Sequence, residues 1–173
     1  MSGGDAGFDL GALRAALDAQ RRARGLTWAE AARQINAVGP DVPRHPIAVS
    51  TITGLGSKGL AEAAGVLQML RWLGRSPESF VRGCSAELLE RASLPAAGVN
   101  QVMRVDTRKL YDALDAQRRA RGLTWERVAA ETGVHAAHAR GLAKGGRTAF
   151  PGVMRLTAWL GQPASHFVRL TAY

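Results

Sequence analysis

The amino-acid sequence predicts an all-α chain built from two copies of one module, and three observations carry that expectation. The run ALDAQRRARGLTW at 16–28 returns unchanged at 113–125, thirteen identical residues at an offset of 97. The likeness then continues at an offset of 87: Leu55 pairs with Leu142, Trp72-Leu73-Gly74 with Trp159-Leu160-Gly161, and Phe80-Val81-Arg82 with Phe167-Val168-Arg169. Apolar residues in both copies recur at helical intervals, and no alternating strand pattern of useful length is present. A repeat of this kind redraws every boundary. The two offsets, 97 − 87, give the first copy ten extra residues near 37–46, in a Pro-rich stretch that reads as loop. The expected organisation is a first module at 8–83, a linker at 84–103 and a second module at 104–173.

Along the chain, Asp9 and Asp106 are placed to cap a first helix, since a carboxylate there accepts the free N–H groups of the opening turn. Leu10, Leu13 and Leu17 supply its apolar face in one copy, Leu110 and Leu114 in the other. Arg21, Arg22 and Arg24 before Gly25, and Arg118, Arg119 and Arg121 before Gly122, read as its C-terminus. Cations favour the negative end of the helix dipole, and glycine takes the left-handed turn that follows. Thr27 and Thr124 cap a second helix over 28–35 and 125–132. After Gly133 a short third helix over 135–143 closes at Lys144-Gly145-Gly146. A fourth helix carries Val66, Met69, Leu70 and Leu73, or Val153, Leu156 and Leu160, as a one-sided stripe. A last short helix opens at Ser76-Pro77-Glu78, where proline's missing N–H costs nothing. Residues 85–91 of the linker form a further helical piece.

Composition narrows the functional classes. Of 173 residues, 23 are Lys or Arg and 14 are Asp or Glu, a net charge of +9 with a pI near 11.1. The first module holds 10 basic and 6 acidic residues, the second 12 and 5, while the linker and the first seven residues each contribute −1. Two basic modules about a non-basic linker suit two contacts with a polyanion. A single Cys excludes an intramolecular disulfide framework and a thiolate zinc site, and a reduced cytoplasmic setting is expected. The first ten residues lack the order of a secretory signal, and no apolar run suits a membrane span. No triad order, metal-ligand spacing or paired carboxylates in an apolar context point to an enzyme. No cofactor is expected.

Helix, tight turn with glycine, then a short polar-faced helix is the layout of a helix-turn-helix. The stretch LTWERVAAETGVHAAHARGLAKGG at 123–146 resembles the helix-turn-helix of the Cro/repressor (XRE-type) family. Val128-Ala129, Gly133-Val134 and Leu142 fall on that pattern's buried positions. In the first copy LTWAEAARQ at 26–34 matches the first helix of the motif and AVSTITGLGSKG at 48–59 the recognition helix. The resemblance covers both modules, about 140 of the 173 residues. It implies two tandem five-helix, lambda-repressor-like modules and a sequence-specific transcriptional regulator that places each third helix in the major groove of double-stranded DNA.

The residues it would assign to DNA are Ser50, Thr51, Thr53 and Lys58 in the first copy, and His135, His138, Arg140, Lys144 and Arg147 in the second. Arg pairs with guanine and hydroxyls are permissive, whereas lysines beyond the helix meet phosphate, which positions without specifying. Trp28 and Trp125 stand where the family usually has a phosphate-binding Gln, so each is either an indole donor to phosphate or a packing residue. The Arg clusters are either solvated helix ends or phosphate contacts. Trp72 and Trp159 belong to the core. His135 and His138 share a helix face without a third metal ligand nearby, and Cys84 senses redox state only if its pKa is lowered. The alternative is a protein–protein module, antitoxin-like or an adaptor, with a homodimer or another protein as partner. It draws on the stretched turn and on Ala136, Ala137 and Ala139.

Overall fold

The structure, a computed structural model, describes residues 7–37, 46–57 and 61–172. It is mostly helical. Its first half runs α1 (Leu10–Ala23), α2 (Trp28–Asn36), α3 (Val49–Thr53), α4 (Ala63–Leu73) and a 3-10 turn at Pro77–Phe80. A short helix α5 (Ala86–Arg91) and strand β1 (Gln101–Val105) follow. The second half runs α6 (Thr107–Ala120), α7 (Trp125–Thr132), α8 (Ala136–Gly141), a 3-10 turn at Leu142–Lys144 and α9 (Phe150–Leu160). It closes with a 3-10 turn at Ala164–Phe167 and strand β2 (Val168–Ala172). The last helix expected in each copy is thus a single 3-10 turn. Among the described residues no helix is long and apolar enough to cross a membrane.

Local chemistry accounts for the helix starts. The Asp9 carboxylate accepts from the Ala12 N–H at 2.9 Å, and that of Asp106 from the Lys109 N–H at 3.0 Å. Thr27 and Glu30 form a reciprocal capping box at the head of α2.

The repeated thirteen-residue run is a structural lock. Arg21 grips Asp18 with Nε and Nη2 at 3.0 and 2.6 Å, donates from Nη1 to the Leu26 carbonyl at 2.7 Å, and lies 4.8 Å over the Trp28 ring. Arg118 repeats this with Asp115, Leu123 and Trp125. Gln20 and Gln117 donate to the Trp72 and Trp159 carbonyls at 2.8 and 3.1 Å. Arg24 and Arg121 lie over the rings of those same tryptophans, whose indoles donate to Gln34 and Glu131.

These pairs make an acid-labile set. The Arg21 guanidinium holds Asp18 below the usual carboxylate range, and the Trp159 indole followed by Arg121 does the same for Glu131. The Ala12 N–H with Arg82 lowers Asp9, and the Thr27 N–H with its hydroxyl lowers Glu30. A carboxylate depressed on folding contributes stability that is present above its unfolded pKa of about 4 and is lost as pH falls through the folded value. Urea-unfolding midpoints are therefore expected to stay flat from neutral pH to about 5 and to fall below about 4. A midpoint that rises on acidification would contradict these four assignments.

The sequence predicts no strand, yet β1 and β2 pair antiparallel, from Gln101 opposite Ala172 to Val105 opposite Val168. The ladder prolongs a contact that both halves make. Just before the first helix of each half, the Asp9 and Asp106 N–H groups donate to the Phe80 and Phe167 carbonyls at 2.9 and 2.7 Å. Among the described residues the first half shows one bridge, Phe8 with Val81, whereas in the second the pairing runs for five residues. Nor does the stretch 84–103 run free as a spacer. Arg71 of α4 donates to the Ala97, Gly98 and Gln101 carbonyls, and Leu94 and Ala97 pack on the first half's core. Its last residues, 101–103, already belong to β1.

The two halves meet around a local two-fold. Ala63 N–H donates to the Thr148 carbonyl and Phe150 N–H to the Ala61 carbonyl, both at 2.8 Å. Ala63 and Phe150, like Ala61 and Thr148, are equivalent positions 87 residues apart, so the pair is reciprocal. Around this axis the second half fills the first half's core. Phe150 is fully buried edge-on to Phe8 at 5.0 Å between ring centroids, with Met154, Met103 and Ala164 in the same cluster. Glu78, also buried, accepts from the Ala164 N–H at 2.6 Å. A second cluster, centred on Leu110, Leu114, Val153, Leu156 and Phe167, belongs to the second half.

Candidate nucleic-acid interface

In the second half α7 and α8 join through Gly133, Val134 and His135. Gly133 has φ 73°, a left-handed conformation, and a Cβ built there would come within 3.3 Å of Arg155 Nη1. The Thr132 hydroxyl accepts from the Val134 N–H at 3.2 Å, and Val134 is buried beneath the turn. Gly133→Ala is expected to cost about 1–2 kcal/mol in an unfolding titration, because an L side chain disfavours the left-handed region. A neutral substitution would show that the turn tolerates another backbone conformation.

The first half reaches the same layout by another device. Its long connection is closed by Asn36, a buried side chain whose amide donates to the Ala32 and Ile47 carbonyls at 2.9 Å and whose oxygen accepts from the Ile47 N–H at 2.7 Å. The clamp anchors the chain just ahead of α3. Ile52 of α3 is fully buried where α8 has Ala139, and Leu55 is buried where the second half has Leu142. Asn36→Ala strands buried backbone groups and is expected to lower stability by about 1–3 kcal/mol. Hydrogen exchange should quicken first in α3; unchanged exchange there would mean that the clamp does not hold the helix.

The burial of Ile52 and Ala139 turns the opposite faces outward. Ser50 and Thr51 are exposed on α3, while Thr53 is half-buried with its hydroxyl donating to the Val49 carbonyl at 3.1 Å. Lys58 lies outside the described residues. His135, His138, Arg140, Lys144 and Arg147 are all exposed. Two of them have partners: His138 Nε2 is 3.3 Å from the Thr148 hydroxyl, and Arg140 Nη1 is 3.3 Å from Glu126 Oε1. The Arg140–Glu126 pair is half-exposed on the Arg side and more so on the Glu side, and such surface pairs are worth little. Arg140 is therefore easily drawn to a stronger anion.

The structure brings Thr51 and Arg147, from opposite halves, to one cleft of about 310 Å³ beside the two-fold, floored by Ile47, Leu55, Val66 and Met69. The outward chemistry of the two halves differs. The second offers imidazoles, guanidinium groups and an ammonium, the first hydroxyls and the exposed Val49. Among the described residues no group of three or more His, Cys, Asp or Glu side chains is arranged to hold a metal ion.

Trp28 and Trp125 pack. Both are half-buried, Trp28 against the first core and Trp125 against the second, where Tyr111 stacks on it at 5.5 Å. Arg21 and Arg118 are equally committed, with side chains only 18% and 19% exposed, whereas Arg22 and Arg119 reach solvent while bridging Asp18 and Asp115. Burial with the nearby Glu78 carboxylate pushes the Cys84 thiol pKa up, the wrong direction for a redox-sensing thiolate. Sequence reasoning missed Asn36, Arg71 and Glu78, whose partners are distant in sequence. Comparison with protein-family models, characterised proteins and solved structures returns no match for this chain.

Proposed function

We propose that this protein is a sequence-specific double-stranded-DNA-binding protein, a transcriptional regulator of the XRE type. In this reading 8–83 and 104–173 are tandem five-helix helix-turn-helix modules whose third helices, α3 and α8, enter the major groove. The observation that carries the reading is the local two-fold. The reciprocal Ala63–Thr148 and Phe150–Ala61 hydrogen bonds join the starts of α4 and α9, the helices that come next after the two third helices. In this reading the junction presents α3 and α8 to the two parts of one duplex site. The net charge of +9 and the exposed cations after α8 supply phosphate contacts. Arg140 is the base-reading group of one half, and Ser50 and Thr51, with the Val49 methyls against thymine methyls, serve the other.

The test is selection from a randomised duplex pool followed by salt titration of the best sequence against a scrambled one. Enrichment of a two-part, non-palindromic motif bound at least about 10³-fold more tightly than the scrambled duplex is the expected result. Weak binding with a steep salt dependence and no motif would sink sequence reading. That outcome would favour the second reading, a protein–protein module, for which the one specific support is α3 itself: five residues long, uncharged, with Val49 exposed.

A further inference from the structure

We infer that the two halves act as one rigid body that reads a two-part duplex site of fixed spacing as a single chain, without self-association. This inference rests on the DNA-binding reading and specifies its partner: an asymmetric duplex site whose two halves stand at one fixed separation. Two separate modules on a flexible linker would accept a range of spacings, because the linker sets only an effective concentration. Four features of this chain remove that freedom. The reciprocal hydrogen bonds at 2.8 Å join the segments that follow α3 and α8. Phe150 and Met154, from the first turns of α9, are buried in the first half's core. The Ala164 N–H is bound at 2.6 Å by the buried Glu78 carboxylate of the first half. The connecting stretch is pinned to α4 by Arg71 and continues into β1, which packs on α4 through the buried Met103.

The same contacts occupy the position that a second chain would need. In a symmetric dimer of single modules, each subunit presents one patch to its copy. Here Ala61 and Ala63 of the first half meet Thr148 and Phe150 of the second, so the patch is satisfied within the chain. The separation of α3 and α8, held by these contacts, then sets the spacing, because neither helix can follow a half-site that is moved along the duplex. The half-sites differ because α3 and α8 differ, with Thr51 standing where α8 has His138 and Thr53 where it has Arg140.

The deciding experiment places spacers between the two halves of the selected motif and measures affinity with light scattering alongside. Lengthening the site by half a helical turn and by a full turn is each expected to reduce affinity by about 100-fold or more, to that of a single half-site. The complex should contain one chain per duplex, and the free protein should be a monomer. A Gly-Ser-Gly-Ser insertion after the exposed Val99 should leave the spacing preference unchanged. Retained affinity on the full-turn spacer, a preference that broadens with the longer linker, or two chains per site would overturn the rigid-body inference while leaving DNA binding intact. Absence of any selected motif would overturn the DNA-binding reading itself, and this inference with it.

Discussion

Phe150→Ala is expected to lower the free energy of unfolding by about 3–5 kcal/mol, the usual cost of emptying a fully buried aromatic site. Phe150 belongs to α9 in the second half, yet its ring lies against Phe8 in the core of the first, and its own repeat position holds Ala63. The cavity therefore falls at the junction of the two halves. For a chain of this size each kcal/mol lowers the melting temperature by roughly 2–4 °C, which puts the variant about 10 °C below the parent. The distinctive expectation concerns where protection is lost. Hydrogen exchange should quicken in α1 and α4 as well as in α9, because the ring touches both halves. Leu156→Ala, which empties a site in the second cluster, should loosen α6 and α9 and spare α1. If Phe150→Ala left α1 protection untouched, the cross-half packing would be refuted, and the rigid coupling of the halves with it.

On the proposed DNA-binding reading, Arg140→Ala is expected to reduce specific DNA affinity by about 1–3 kcal/mol, roughly 5- to 150-fold, and to relax preference in one half of the selected motif only. Arg140 is the exposed guanidinium of α8, paired with the surface carboxylate of Glu126. Glu126→Ala is therefore the informative partner variant: with Arg140 released and an acid removed from the interface, affinity should hold or rise. Lys144→Ala should act differently, weakening all duplexes by a similar factor and lowering the salt slope by about one, as loss of one phosphate contact does. Thr51→Ala should alter the other half of the motif. A selected motif that stays the same in both halves after Arg140→Ala would remove α8 as a reading element.

Comparison of the two copies explains why part of this protein was legible in its sequence. Capping by Asp9, Thr27, Asp106 and Thr124 is a contact across three residues, and the Leu10, Leu13, Leu17 spacing is a property of one helix. Both are written locally. The thirteen-residue repeat was legible as a repeat but not as a purpose. Arg21 and Arg118 lie between an aspartate, a backbone carbonyl and an indole, and Trp28 and Trp125 are packed under them. Sequence reasoning left these residues between phosphate contact and structure, because the partners that decide the matter come together only when α1 and α2, or α6 and α7, fold against each other.

The third helices divide in the same way. The sequence by itself determined that two helical copies exist, where the first and second helices of each start, that the chain is strongly basic, and which residues lie on the segments of α3 and α8. It did so because helix periodicity, capping and charge are short-range or additive properties of the chain. Only the tertiary structure decided that β1 and β2 form, that Asn36 closes the long first connection, that 84–103 is bound to α4, and that Ala63 and Phe150 face each other's half across a two-fold. Each of these is a contact between groups remote along the chain, and neither residue of such a pair carries its partner's address. A strand such as Gln101–Val105 has little pattern of its own and becomes one because Val168–Ala172 is brought beside it.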